Sequence, residues 1–225
     1  MQAAASAAGR AGWLRDWQYA HRGLHGDGVA ENSPAAFAGA IVRGLGIECD
    51  VQISRDGRAM VFHDWTLERL TDEAGDVVAR DCAELERIAL RVGGERIPTI
   101  EALLAQVGGL VPLLVEIKSK REFNPVPLCA AVEQALRSYE GAVAVMSFDP
   151  RVPKWFADHA PGVVRGLVVT EENDRGMAGR LRRRLAFRHA RPHFLAYDVR
   201  DLPSTFAAAH RARGVPLLTW TVRSP

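Results

Sequence analysis

Short apolar runs alternate along this chain with amphipathic stretches of ten or more residues, and start and stop signals mark the boundaries. No other feature constrains the fold as strongly. A repeated strand–helix pattern packs as a parallel sheet with both faces covered. After a short run at residues 18–20, Ser33 and Pro34 read as the cap and first residue of a helix over 35–43, which Gly44 stops. Residues 47–53 and 59–62 read as two strands joined by a tight Asp56-Gly57 turn. Pro98 and Thr99 open a helix through Val107, with Glu101 in its first turn. Further strands are expected at 113–117, 143–147, 163–169, 194–197 and 215–222. Between them, helices are expected from Asn124-Pro125 to about residue 137, from Asp149-Pro150 to before Pro161, over 177–190 and over 201–213. Seven or eight such units fit a closed barrel better than an open doubly wound sheet. No repeat, hinge or low-complexity linker divides residues 1–225, which predicts a single domain. Residues 65–97 are too long for an ordinary strand-to-helix loop and predict a small insertion or lid near the site.

Composition serves mainly to exclude. With 48% hydrophobic and 25% charged residues the chain is not of a disordered class. Its 29 basic and 27 acidic residues leave +2, which gives no bulk argument for a nucleic-acid or membrane partner. Cys49, Cys82 and Cys129 are odd in number and far apart, so neither a disulfide framework nor a cysteine-ligated zinc site is expected, and a reducing compartment is. No apolar run reaches membrane-spanning length. The alanine-rich start is interrupted by Arg10 and lacks the apolar core of a signal peptide, so a cytoplasmic location is expected.

Four predicted strands finish in polar residues: His21-Arg22-Gly23, Glu48-Cys49-Asp50, His63-Asp64 and Glu116-Ile117-Lys118. Strand side chains alternate faces, so Glu48 and Asp50 share one face while Ile47, Cys49 and Val51 take the other. By the same parity Leu114, Glu116 and Lys118 fall together. Burying carboxylates without partners is costly, which places something positive among them. At the C-terminal mouth of a parallel barrel the four ends would converge. Glu48, Asp50 and Glu116 then suit one hard divalent cation, Mg²⁺ or Ca²⁺. His21 and His63 would flank one bound group as acid and base. Arg22 and Lys118 suit a phosphoryl oxygen. Three carboxylates set against a dication and two side-chain cations leave one positive charge, which a phosphodiester anion neutralises.

These residues, in order, resemble the glycerophosphodiester phosphodiesterase family. The resemblance runs through His21-Arg22-Gly23, Glu31-Asn32-Ser33, Glu48 to Val51, Asp56-Gly57 and His63-Asp64 with Leu67 and Arg69. It continues through Ile97 to Thr99, Glu116 to Lys118, Ser147-Phe148 and Trp220 to Val222. It implies an α/β protein, a TIM-type (β/α)8 barrel, that hydrolyses glycerophosphodiesters to sn-glycerol 3-phosphate and an alcohol. It also implies His21 and His63 as general acid and base, Glu48, Asp50 and Glu116 as metal ligands, and Arg22 and Lys118 as phosphate contacts. The family's insertion after the third strand matches residues 65–97. Family members usually continue past Trp-Thr-Val with a helix and a last strand, whereas this sequence stops at Pro225, which can leave the barrel incomplete at its C-terminus.

Blander readings stand beside these. Trp220 either lines a glycerol pocket or packs, and Glu31 and Asn32 either touch substrate or shape the turn before Ser33. His25, His159, His189, His193 and His210 are expected at the surface. In the basic helix, Leu181 and Leu185 are expected to face the barrel, with Arg180, Arg182, Arg183, Arg184, Arg188 and Arg191 as a solvated outer face. The rivals to hydrolysis of a small glycerophosphodiester are a phospholipase-type barrel acting on intact lipids and a non-catalytic protein docking on anionic surfaces. The carboxylate and histidine set favours the first reading, with no nucleic-acid partner and no stable membrane insertion.

Overall fold

The computed structural model describes residues 7–172 and 174–222. The beginning of the alanine-rich start and the end at Pro225 lie outside the described residues. The chain forms two compact units, Gln18–Val143 and Met1–Trp17 together with Ala144–Pro225.

In Gln18–Val143, β1 (Tyr19–Ala20) pairs in parallel with β2 (Gly46–Ile53). β3 (Ala59–Val61) returns antiparallel on β2, and β4 (Leu113–Ile117) pairs in parallel with it. The register sets Ile47 opposite Leu113 and Asp50 opposite Glu116. The longer helices of this unit are α1 (Pro34–Val42), α2 (Ile100–Val107) and α3 (Val126–Leu136). Ser33 caps α1 by accepting from the Ala36 N–H at 3.2 Å, and Thr99 caps α2 through Ala102 at the same distance. Gly108, at φ 53°, ends α2 in the left-handed conformation that glycine tolerates best.

One expectation needs correction here. The end of β3 is not a third parallel strand end, because β3 runs back along β2 with Val61 opposite Val51 and Ala59 opposite Ile53. The Asp56-Gly57 connection is too short for a parallel crossover, so only a hairpin is possible. β2 therefore runs past Asp50, turns, and sends the chain back. The Phe62 N–H then donates to the Asp50 carbonyl at 3.0 Å, which brings His63 alongside Asp50.

Residues 65–97 are no open loop. They contain short helices at Val77–Ala79 and Cys82–Leu85, and bury Leu67, Val77, Leu85, Ile88 and Leu90 together with Met60 and Phe62. Trp65 packs edge-on against Phe123 at 5.8 Å between ring centres, and Lys120 lies over the Trp65 ring at 4.3 Å.

The second unit holds β5 (Val143–Ser147, from Ala144), β6 (Val164–Val169), β7 (Phe194–Asp198) and β8 (Leu217–Trp220). Each pairs in parallel with the next. Its longer helices are α4 (Arg151–His159), α5 (Met177–Ala190) and α6 (Thr205–Arg211). The helix expected over 201–213 is shorter, since Leu202 is extended before Pro203 and Ser204 makes the cap.

α5 turns the opposite way from the expected one. Gly179, Arg183 and Ala190 are buried, while Leu181 and Leu185 are 58% and 56% exposed. Arg183 reaches inward, donating to the Asp174 carbonyl at 2.7 Å and to Glu171 Oε2 at 2.9 Å. Ala186 and Phe187 pack on the cluster around Leu195 and Tyr197. A guanidinium with carbonyl and carboxylate partners can be buried where its position in the pattern suggests solvent. His193 is also no surface residue. It is buried between α5 and β7, and its N–H donates to the Arg165 carbonyl at 2.7 Å.

Candidate active site

The site grows from backbone that few residues tolerate. After β1 the chain enters the left-handed region at Arg22 (φ 57°) and Gly23 (φ 76°), and Asn32 follows at φ 55°. Non-glycine residues are uncommon there, and such strain collects where surrounding contacts require it. At Arg22 the contacts are visible: its N–H donates to Glu48 Oε2 at 3.0 Å, and its carbonyl accepts from the Asn32 N–H at 2.9 Å. Gly23 has no alternative, because a Cβ there would lie 2.7 Å from Ala36 Cβ. Gly23→Ala is expected to cost about 2 kcal/mol from strain and crowding, lowering Tm by roughly 4–8 °C for a domain of this size. Thermal melting of the purified variant checks this.

Glu48, Asp50 and Glu116 are buried, and one carboxylate oxygen of each lies within 4.8 Å of the others. Asp50 accepts from Asn32 Nδ2 at 3.0 Å and faces Arg22 Nε at 3.3 Å and Lys118 Nζ at 3.4 Å. Lys118 also donates to Glu116 Oε1 at 3.0 Å. Burial, then repulsion from Asp50 and Glu116, holds the Glu48 carboxyl well above the ordinary glutamate range. Burial raises Glu116 as well, with Lys118 opposing and Asp50 adding to the shift. Burial disfavours the charged form of Lys118, but Glu116 and Asp50 outweigh it and raise its pKa. Such a donor set, three desolvated oxygen ligands with incomplete compensation, fits a hard divalent cation.

His21 Nε2 lies 4.0 Å from Glu48 Oε2. Burial and the Arg22 charge push its pKa down to about 4. His63 is lowered too, chiefly by burial, and its Nδ1 lies 2.6 Å from Asp64 Oδ1. Asp64 is held near pKa 2 by its hydrogen bond to Arg69. Arg69 completes a chain of charge-assisted contacts: it grips Asp64 through Nε and Nη2 and Glu31 through both Nη atoms, while Glu31 accepts from Arg22 Nη1 at 2.9 Å. Burial would raise Glu31, but Arg69 and Arg22 hold it below the ordinary range.

Seven of the eight sequence-derived site residues, His21, Arg22, Glu48, Asp50, His63, Glu116 and Lys118, thus belong to one unit, linked by the contacts above. The eighth, Trp220, is in the other unit, where its Nε1 donates to the Ala196 carbonyl at 3.1 Å and its ring meets Phe148 edge-on. Sequence reasoning did not assign the supporting residues Asp64 and Arg69, and left Glu31 and Asn32 undecided. The adjacency of Asp64 to His63 was the available signal, since a carboxylate beside an imidazole can fix its tautomer. Asp64→Asn is expected to lower kcat about 10–100-fold with KM nearly unchanged, as for other groups that orient a reacting side chain. Steady-state kinetics would show it.

An α/β chain with a buried carboxylate triad, two imidazoles and two cationic side chains in one unit has the equipment of a phosphoric diester hydrolase. Comparison with known proteins agrees. The model of the glycerophosphoryl diester phosphodiesterase family matches residues 21–225. YhdW of Bacillus subtilis, named for that activity, is 30% identical over 214 residues, covering 91% of this chain and 85% of the relative. A glycerophosphodiester phosphodiesterase of Caldanaerobacter subterraneus is 39% identical over 160 residues, 66% of this chain and 65% of its own. Among solved structures, an Oleispira antarctica phosphodiesterase in complex with the product sn-glycerol-3-phosphate superposes with a TM-score of 0.80 at 23% identity, over 92% of this chain and 85% of that one. The Thermotoga maritima glycerophosphodiester phosphodiesterase gives 0.71 at 24% identity, over 92% and 86%. The chain belongs to the glycerophosphoryl diester phosphodiesterase family and shares the α/β, TIM-type fold of these structures. It is an enzyme, a phosphodiesterase.

Proposed function

We propose that the protein hydrolyses glycerophosphodiesters to sn-glycerol 3-phosphate and an alcohol, using a divalent cation and general acid–base catalysis by His21 and His63. The observation that carries this reading is the buried triad of Glu48, Asp50 and Glu116, in one unit with both histidines and joined by Lys118 and Arg22. These three carboxylates would hold the cation, which when bound supplies positive charge and Lewis acidity at the phosphate. Arg22 and Lys118 neutralise nonbridging oxygens of the phosphodiester.

Asp64 accepts a hydrogen bond from the Nδ1–H of His63, which leaves the Nε2 lone pair for the nucleophile. His63 is therefore the base: it accepts a proton from water as the new P–O bond forms, or from a glycerol hydroxyl, in which case water opens the resulting cyclic phosphate in a second step. His21 is the acid, donating a proton to the alcohol oxygen as the old P–O bond breaks, once a bound phosphodiester anion offsets the Arg22 charge that helps to lower its pKa. Residues 65–97 supply Arg69 to the Asp64–Glu31 bridge and act as the wall of a site in a single catalytic domain spanning 1–225. The test is hydrolysis of glycerophosphocholine after chelation and after separate return of Mg²⁺ and Ca²⁺. Release of sn-glycerol 3-phosphate only with metal supports the reading. Full turnover in excess chelator removes the cation from it.

A further inference from the structure

We infer that α5 is a docking face for the anionic surface of a lipid bilayer, a role beyond hydrolysis that stands whether or not the proposed reaction is correct. Because Arg183 and Phe187 turn inward, the opposite side of the helix carries Met177, Leu181 and Leu185 at positions i, i+4 and i+8. Their exposures are 87%, 58% and 56%, so three large apolar side chains line one outward stripe of a 14-residue helix. At 100° per residue Arg184 and Arg188 fall on this same face, and Arg180 and Arg182 on its flanks. Arg182 is paired with Asp174, but Arg180, Arg184 and Arg188 make no ion pair among the described residues.

The charge is local. α5 holds five of the 29 basic residues and no acidic one, so the remainder of the chain has 24 basic against 27 acidic residues. Four of the five, all but the inward Arg183, thus surround an exposed apolar stripe on a nearly neutral protein. Charge complementarity selects the occupant. Arginines interleaved with aliphatic side chains suit a surface that offers phosphate groups at the level of the guanidinium groups and hydrocarbon just beneath. A nucleic acid offers no such hydrocarbon layer, and this face has no aromatic ring for base stacking. The geometry is that of a helix lying in the interface, with no span: no helix among the described residues is long and apolar enough to cross a membrane.

The experiment is co-sedimentation of the full chain with vesicles of phosphatidylcholine containing roughly 30% phosphatidylglycerol, against phosphatidylcholine alone, at low and raised salt. Binding only to the anionic vesicles, weakened by salt, is expected. Arg180→Gln/Arg184→Gln/Arg188→Gln should reduce it about a hundredfold, and Leu181→Ser/Leu185→Ser about tenfold. Both variants should melt at the Tm of the parent, which reports that they fold. Absence of binding to anionic vesicles overturns the inference, as does binding that both variants retain. Sedimentation equilibrium showing a dimer that Leu181→Ser/Leu185→Ser dissociates would assign the face to a second copy instead, and tighter binding to RNA than to vesicles would assign it to nucleic acid; either overturns it.

Discussion

Replacing His21 or His63 by alanine is expected to lower kcat on glycerophosphocholine by about 10²–10⁴-fold, the usual worth of a positioned acid or base. The fold should survive both changes. His21 has 35% of its side chain exposed and makes only a 4.0 Å approach to Glu48, so its removal leaves no buried group stranded. His63 is held by Asp64, whose carboxylate keeps Arg69 as a partner when the imidazole is gone. The double variant should be little worse than the more damaged single one, because two groups acting on one proton-transfer sequence are not additive. His63 also offers a sharper test through Asp64. If Asp64 works by orienting His63, Asp64→Asn should cost much in the parent and almost nothing in His63→Ala, and the double-mutant cycle gives the difference. Wild-type turnover in either single variant would remove that histidine from the chemistry, and equal Asp64→Asn effects in both backgrounds would remove the orienting role.

The parts of this site legible in the sequence were those governed by local period and spacing. Parity alone put Glu48 and Asp50 on one face, and the Asp50–Glu116 register then joined them to the third carboxylate. The Ser33-Pro34 start, the Asp56-Gly57 turn and the strand at Leu113–Ile117 are likewise local signals, and each is where spacing predicts it. What was not legible depends on partners distant in the chain. Arg69 lies 38 residues from Glu31, and only the folded insertion brings them together. The direction of β3 follows from connection length, yet its consequence, His63 returned beside Asp50, depends on how far β2 overshoots. The inverted face of α5 is the same lesson in reverse. The leucine spacing favours burial of Leu181 and Leu185, but Glu171 and the Asp174 carbonyl bind the guanidinium of Arg183 instead, and a helix has only one inward side.

Glu48→Gln/Glu116→Gln should abolish metal-dependent turnover, by at least about 10²-fold, while making the metal-free protein more stable. The two effects share one cause. Both carboxyls are raised above the ordinary glutamate value of 4.5, first by burial, and the proximity of Asp50 adds to both shifts. A raised carboxyl means that the folded protein keeps protons the unfolded chain releases. Its contribution to stability is full below pH 4.5 and lost as pH rises through the folded-state value. Chelated wild-type enzyme should therefore lose stability relative to the variant as pH climbs from 4.5, and the gap in Tm should widen and then level off. The lowered histidines His21 and His63 act in the opposite sense, but they are present in both proteins and largely cancel in the difference. Returning a divalent cation near neutral pH should raise the Tm of wild type alone, because only its carboxylates offer the charge that binding requires. If the gap in Tm stays flat with pH, the carboxyls are not held under repulsion. If the cation stabilises both proteins equally, it binds elsewhere, and the triad is a salt-bridged structural cluster held by Arg22 and Lys118.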